Sequence, residues 1–221
     1  MPDNRATRTS VTLWRKILLE VYNELVRLGV GDVWVFGSQA MSLYMKRPLA
    51  SKDIDLLASG TTIDIVKSAC GSLAHFSLGR APYYDFQNLE HEGKPNPVFS
   101  IYLGPPNQRP LVIELFQTFE GNEIRRLTPY ARIVKRWGTE FQTLSREAVI
   151  GTRLGFRSPE RISKFNADRL NRFIESQHQI DWGSVEKFAI DFGLKQRIKE
   201  NLKDLKQHNI MIKGSNRLSF L

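Results

Sequence analysis

Val33-Trp34-Val35-Phe36-Gly37-Ser38, a spacer of fourteen residues (39–52), and then Asp53-Ile54-Asp55-Leu56-Leu57 decide how this chain is read. The first run is short, continuous and apolar and stops at a glycine, which predicts a buried strand turning into a helix capped by Ser38. That helix should reach about Met45, with 46–52 a loop around Pro48. The second run predicts another strand. Residues i and i+2 of a strand project from one face roughly 6.5–7 Å apart, so Asp53 and Asp55 point together while Ile54 and Leu56 face a core. Paired carboxylates repel unless a cation lies between them, and such hard oxygen donors suit Mg²⁺ completed by phosphate oxygens. Gly37-Ser38 supplies the complementary half. Glycine lets a phosphate approach the backbone closely, the helix N-terminus offers unpaired N–H groups and a positive dipole end, and Ser38 adds a hydroxyl donor.

Upstream, Val11, Trp14, Leu18, Val21, Tyr22, Leu25 and Leu28 recur at helical spacing and predict a helix over 10–28. Thr9 or Ser10 would cap it and Gly29 would end it. Downstream, Ile63, Val66 and Ala69-Cys70 predict a helix closed at Gly71. Residues 83–89 read as a strand, 90–97 as a polar turn with two prolines, and 98–103 with 111–116 as an antiparallel hairpin. Short strands at 131–137 and 141–144 precede a helical stretch to 207, with Ser145, Ser158, and Asp181 or Ser184 as caps. Residues 209–221 carry little pattern and predict a fraying tail. The expected fold class is α+β: a mixed sheet with flanking helices over 1–125, then a basic, mostly helical region over 126–221.

Hydrophobic residues make up 41% and charged residues 25% of the 221, which excludes a wholly disordered chain. No run approaches the ~20 apolar residues of a membrane span, and the polar start predicts a cytoplasmic protein. The single cysteine, Cys70, excludes an internal disulfide framework and reads as a core filler. Trp14, Trp34, Trp137 and Trp182 read as core or element-edge residues. The net charge of +9 is uneven: residues 1–118 carry 12 Lys+Arg against 11 Asp+Glu, whereas 125–172 carry 12 against 4. Such a block suits a polyanion, either nucleic acid or a phosphorylated substrate; it also suits a solvated surface.

The ordered pattern of hydrophobic residue, Gly-Ser, spacer and Asp-hydrophobic-Asp-hydrophobic resembles the signature of the DNA-polymerase-β-like nucleotidyltransferase superfamily. The resemblance spans residues 33–116, with a spacer slightly longer than usual that fits an extra turn at Pro48. It implies a third carboxylate on a later strand. Glu114, the only charge within 111–116, is the preferred candidate, although the family more often has Asp there. Asp85, in Tyr83-Tyr84-Asp85-Phe86, competes with it. The resemblance further implies a nucleotidyltransferase-fold sheet, an NTP substrate and two Mg²⁺ ions about 3.5–4 Å apart. Asp53 and Asp55 would hold the triphosphate's metal, Asp53 and Glu114 the second, and Gly37, Ser38, Lys52 and Lys164 the nucleotide and its phosphates. NMP would pass to an acceptor hydroxyl as pyrophosphate leaves in line.

Residues 143–154 with Arg157, 161–164 and Asp168 are similar to the downstream helices of nucleotidyltransferase-like toxins of the abortive-infection type. Those carry an adjacent Lys-Asp pair near the nucleotide. Here Lys164 and Asp168 stand at i, i+4, either a shifted version or a surface pair. This similarity implies an RNA acceptor, a tRNA end among them, and a small antitoxin partner; a protein or small-molecule hydroxyl is also open. Since the acidic ligands lie in the near-neutral half, the basic block at 125–172 is left to hold the acceptor. The alternative is a catalytically silent module of the same fold that binds nucleic acid or a partner protein.

Overall fold

The computed structural model describes residues 11–49, 51, 53–77, 80–91, 93–104, 111–119, 121–155 and 164–221. Its strands are β1 (Asp32–Val35), β2 (Asp53–Ser59), β3 (Tyr83–His91), β4 (Lys94–Leu103), β5 (Leu111–Phe116), β6 (Ala131–Arg136) and β7 (Thr139–Leu144). They form one mixed seven-stranded sheet in the order β3-β4-β5-β2-β1-β7-β6. β2 runs antiparallel to β1 and parallel to β5, and β7 runs parallel to β1. The helices are α1 (Val11–Arg27), α2 (Gly37–Tyr44), α3 (Ile63–Leu73), α4 (Arg146–Gly155), α5 (Lys164–Ser176), α6 (Trp182–Asp191) and α7 (Lys195–Gln207). The fold is therefore α+β.

Alternation along the strands sorts side chains between two cores. Val33, Val35, Ile54, Leu56, Ala58, Ile113 and Leu115 pack with Trp14, Leu18, Val21 and Leu25 of α1 and Val66 and Leu73 of α3. Trp34 and Leu57 turn the other way, into a core built with α2 and the C-terminal helices. Asp53, Asp55 and Glu114 have the parity of this second face. The sheet continues beyond residue 125 through the β6–β7 hairpin, whose turn residues Trp137 and Gly138 have φ of 51° and 83°. Both being positive suits a tight two-residue turn, and it sets the Trp137 ring edge-on to Trp14 at 6.0 Å.

Three expectations are corrected. The span 90–97 is mostly strand, not turn: β3 and β4 pair from Tyr83↔Tyr102 to His91↔Lys94. Pro95 and Pro97 are tolerated because they present their nitrogen-side edge away from β3. The Pro97 carbonyl, on that same edge, accepts from the Gln117 N–H at 3.0 Å. α3 passes through Gly71 and ends at Leu73, with Thr62 as its cap. The tail does not fray. Ile212, Leu218 and Phe220 are buried, and Asn171 accepts from the Lys213 N–H at 2.9 Å and donates to the Met211 carbonyl at 2.7 Å. Gly214, at φ 74°, lies so close that a Cβ would sit 2.7 Å from the Trp182 ring.

The second core is tightest where α4 crosses α6. A Cβ on Gly151 would lie 2.6 Å from the Phe188 ring, and Phe188 packs edge-on against Tyr130 at 4.9 Å and tilted against Phe192 at 4.7 Å. Phe188→Ala should cost about 3–5 kcal/mol, read as a lowered urea midpoint with little change in the slope of unfolding. Burial pushes the Cys70 thiol up to about 11, in keeping with a packing role. No helix among the described residues is long and apolar enough to cross a membrane.

Candidate active site

β1 stops because the chain turns at Gly37. Phe36 is still extended, at φ −127° and ψ −176°, and its N–H donates to the Asp55 carbonyl at 3.0 Å. Gly37 then takes φ +60°, which places the first turn of α2 directly against the Asp55 side chain. A Cβ on Gly37 would overlap Asp55 Oδ2 outright and lie 2.9 Å from Cγ. Glycine is required here twice, for the left-handed backbone and for the carboxylate's space. The contact puts an anionic group at the positive end of a helix.

Register places the remaining acids. Asp55 pairs with Glu114 on β5, Glu114 with Ser100 on β4, and Ser100 with Asp85 on β3, one row across a single face. Neighbouring strands lie about 4.8 Å apart, so Glu114 is beside Asp55 and Asp85 is roughly 10 Å beyond Glu114. Asp85 is exposed, and its carboxylate accepts from the Phe86 N–H at 2.8 Å and from Gln87 Nε2 at 3.3 Å. Of the two candidates, Glu114 is the one brought to Asp55.

Asp53 sits on the same face one pleat away and is held differently. Ser51 donates its hydroxyl to Asp53 Oδ1 at 2.8 Å, and the Ser38 and Ser51 hydroxyls are 2.9 Å apart. Since Ser51 gives its proton to Asp53, Ser38 donates to Ser51. Ser38 and Ser51 are each only 4% exposed. The Ser38 hydroxyl thus acts on Asp53 through Ser51, and it does not cap α2: the capping residue is Phe36, with no side-chain bond. What α2 offers an anion is its first-turn backbone N–H groups, which no helical carbonyl can reach. Ser42 anchors the following loop, accepting from the Leu49 N–H at 3.0 Å.

Two residues here escaped the sequence reading. Ser51 lies in the span that the sequence predicts as loop, and Gln39 lies in the spacer. Gln39 is fully buried, its Nε2 donating to the Asp53 carbonyl and its Oε1 accepting from the Asp55 N–H at 3.4 Å. The one available signal is a lone amide between Gly37-Ser38 and the small and apolar Ala40-Met41.

The carboxylates of Asp55 and Glu114 are hard oxygen donors in register on adjacent strands, which fits a hard divalent cation held by two carboxylates. Among the described residues, however, no three His, Cys, Asp or Glu side chains are gathered closely enough to hold an ion together. The expected three-carboxylate arrangement is therefore not assembled in these side-chain positions, with Asp53 turned to Ser51. Lys52 lies outside the described residues, as do Arg157, Ser158 and Arg161. Lys164 begins α5, but its side chain is also outside them; Asp168 is exposed on the same helix.

Within the basic block several side chains are committed to the protein itself. Arg136 donates to the Met45 carbonyl at 2.7 Å, Arg126 to Asn122 at 2.7 Å, and Arg125 and Lys135 pair with Glu123 and Glu140. Arg125, Arg126, Arg132, Lys135 and Arg172 are exposed.

No family model matches the sequence, and no curated protein matches it. Among solved structures, the chain is similar to an antigenic nucleotidyltransferase-like protein from Paracoccidioides brasiliensis at 16% identity and TM-score 0.47, over 95% of this chain and 98% of that one. It is similar to the antibiotic-resistance factor ANT(2'')-Ia at 10% identity and TM-score 0.44, over 90% and 95%. A third similar structure is JHP933 from Helicobacter pylori, at 11% identity and TM-score 0.37, over 90% and 97%.

Proposed function

We propose that this chain is a metal-dependent nucleotidyltransferase of the polymerase-β-like kind, moving NMP from an NTP to an acceptor hydroxyl. One observation carries the reading. The Asp55 carboxylate is pressed against the start of α2 by the missing Cβ of Gly37, with Glu114 in register beside it. An anion-binding helix start and a carboxylate pair are thus joined in one place, as a metal–triphosphate complex requires.

In this mechanism the first-turn N–H groups of α2 receive β- and γ-phosphate oxygens. Asp55 and Glu114 would hold Mg²⁺, and Asp53 is the further carboxylate that a second ion would draw on. When bound, Mg²⁺ neutralises charge on the phosphates and lowers the pKa of a coordinated hydroxyl. The chain's own part is positioning: Ser51 orients Asp53, and the sheet fixes the spacing between Asp55 and Glu114. No covalent intermediate with the protein is involved. RNA is the favoured acceptor, offered a surface by the exposed arginines and lysines of 125–172, and a toxin-like role with an antitoxin partner is the version that the similarity of the downstream helices supports.

The test is transfer of label from each α-labelled NTP, with Mg²⁺, to tRNA, to protein or to small hydroxyl compounds. Glu114→Gln should lower transfer by about 10²-fold or more, whereas Asp85→Asn should stay within twofold of the parent. Equal losses in both, or label on no acceptor, would overturn the assignment. A silent nucleic-acid-binding module would instead show steeply salt-dependent RNA affinity untouched by Asp55→Asn.

A further inference from the structure

We propose that Gln39 is a positioning residue that aligns the Asp53-x-Asp55 strand for divalent-cation binding. The proposal rests on the nucleotidyltransferase reading above and adds to it a role for a side chain whose two bonds are to main-chain atoms.

The argument begins with where β1 ends. Phe36 and Asp55 face each other at the last position of the β1–β2 ladder, one beyond Val35↔Leu56. The Phe36 N–H still reaches the Asp55 carbonyl at 3.0 Å. In a continuing antiparallel pair the Phe36 carbonyl would accept from the Asp55 N–H in return. Instead that carbonyl accepts from the Ala40 N–H at 3.2 Å as α2 begins, and the Asp55 N–H turns to Gln39 Oε1 at 3.4 Å. The Asp53 carbonyl, two residues earlier on the same edge of β2, has likewise lost the strand partner it would have met. Both groups lie under a buried helix, where an unmade backbone hydrogen bond is destabilising.

Gln39 replaces the missing peptide. Its amide presents a donor to the Asp53 carbonyl, where a continuing β1 would have placed an N–H, and an acceptor to the Asp55 N–H, where the Phe36 carbonyl would have stood. The side chain is 0% exposed, so water does not compete for either bond. Both bonds are to the main chain of Asp53 and Asp55, whose carboxylates would hold the cation. Gln39 therefore controls the pitch and separation of the two carboxylates through the backbone, while Ser51 controls the rotation of one. Outer residues that orient metal ligands commonly change metal affinity by about 10–100-fold when replaced.

The test is Mn²⁺ binding to the full chain, read by electron paramagnetic resonance without nucleotide or turnover, with thermal unfolding measured in parallel. Gln39→Met keeps length and apolar bulk but removes both bonds. Gln39→Glu keeps an acceptor for the Asp55 N–H and sets an oxygen against the Asp53 carbonyl. Asp55→Asn serves as the reference. The expected result is a tenfold or greater rise in the Mn²⁺ dissociation constant for each folded Gln39 variant, and loss of binding in Asp55→Asn. Unchanged Mn²⁺ affinity in a folded Gln39→Met or Gln39→Glu, with binding lost in Asp55→Asn, overturns the role of Gln39 and leaves the catalytic reading standing. Failure of both Gln39 variants to fold overturns it too, since the residue is then structural. Mn²⁺ affinity in Asp55→Asn equal to the parent's removes both proposals.

Discussion

Gly37→Ala should lose nucleotide transfer by about 10²-fold or more and also unfold at a lower temperature. The two losses have one origin. Holding a non-glycine residue in the left-handed region costs about 1–3 kcal/mol, and here the backbone cannot relax into another conformation without dragging the start of α2 from the Asp55 carboxylate. The new methyl group would occupy the space now taken by Asp55 Oδ2. Either Asp55 swings away from Glu114 or α2 lifts from the sheet, and both separate the carboxylate pair from the helix start. Thermal unfolding and NTP binding in the presence of Mg²⁺ would read the two effects in one preparation. Unchanged nucleotide binding would mean that the helix start and the carboxylate do not act on the same ligand.

Asp55→Asn should separate chemistry from stability. The carboxamide fits the space beside Gly37 as the carboxylate does, and folding should change by no more than about 1 kcal/mol. Transfer should fall by about 10³-fold, equivalent to ~4 kcal/mol of barrier. A carboxamide is a far poorer ligand for a hard divalent cation than a carboxylate. The measurement is single-turnover transfer over a range of Mg²⁺ concentrations. Residual activity that raised Mg²⁺ restores to the parental level would show weakened metal binding alone, whereas parental activity at low Mg²⁺ would remove Asp55 from the mechanism.

The contrast between these variants follows from what was and was not legible beforehand. The order strand, Gly-Ser, helix, acidic strand could be read because apolar runs and glycine punctuation are local signals, and β1, α2 and β2 appear where Val33-Trp34-Val35, Gly37-Ser38 and Asp53-Ile54-Asp55 place them. The choice between Glu114 and Asp85 was not local. Both sit in strand-like segments, and only the order β3-β4-β5-β2 sets one beside Asp55 and the other beyond it. Pro95 and Pro97 suggested a turn because proline lacks a donor, but which edge of a strand a residue presents is a property of pairing. Gln39 was illegible for a further reason: its partners are main-chain atoms of Asp53 and Asp55, which every residue possesses. The tail carries no local pattern because its order comes from distant contacts, with Gly214 on Trp182 and Ser219 donating from its N–H to Glu186 at 3.1 Å.

The strand order also bears on how the chain acquires its structure. β1 lies inside the sheet, yet its second neighbour is β7, and the Thr143 hydroxyl that bonds the Val35 carbonyl at 2.8 Å comes 108 residues later. As the polypeptide leaves the ribosome, β1 to β5 can pair among themselves while one edge of β1 stays unsatisfied. That edge carries Val33, Trp34 and Val35 and is a template for any other strand. Closing so long a loop is slow relative to local pairing, so the interval before β7 docks is when the nascent chain is most exposed to association with copies of itself. A fragment ending near residue 125 would keep the acidic residues and the helix start while holding that edge open permanently, and its expected behaviour is aggregation.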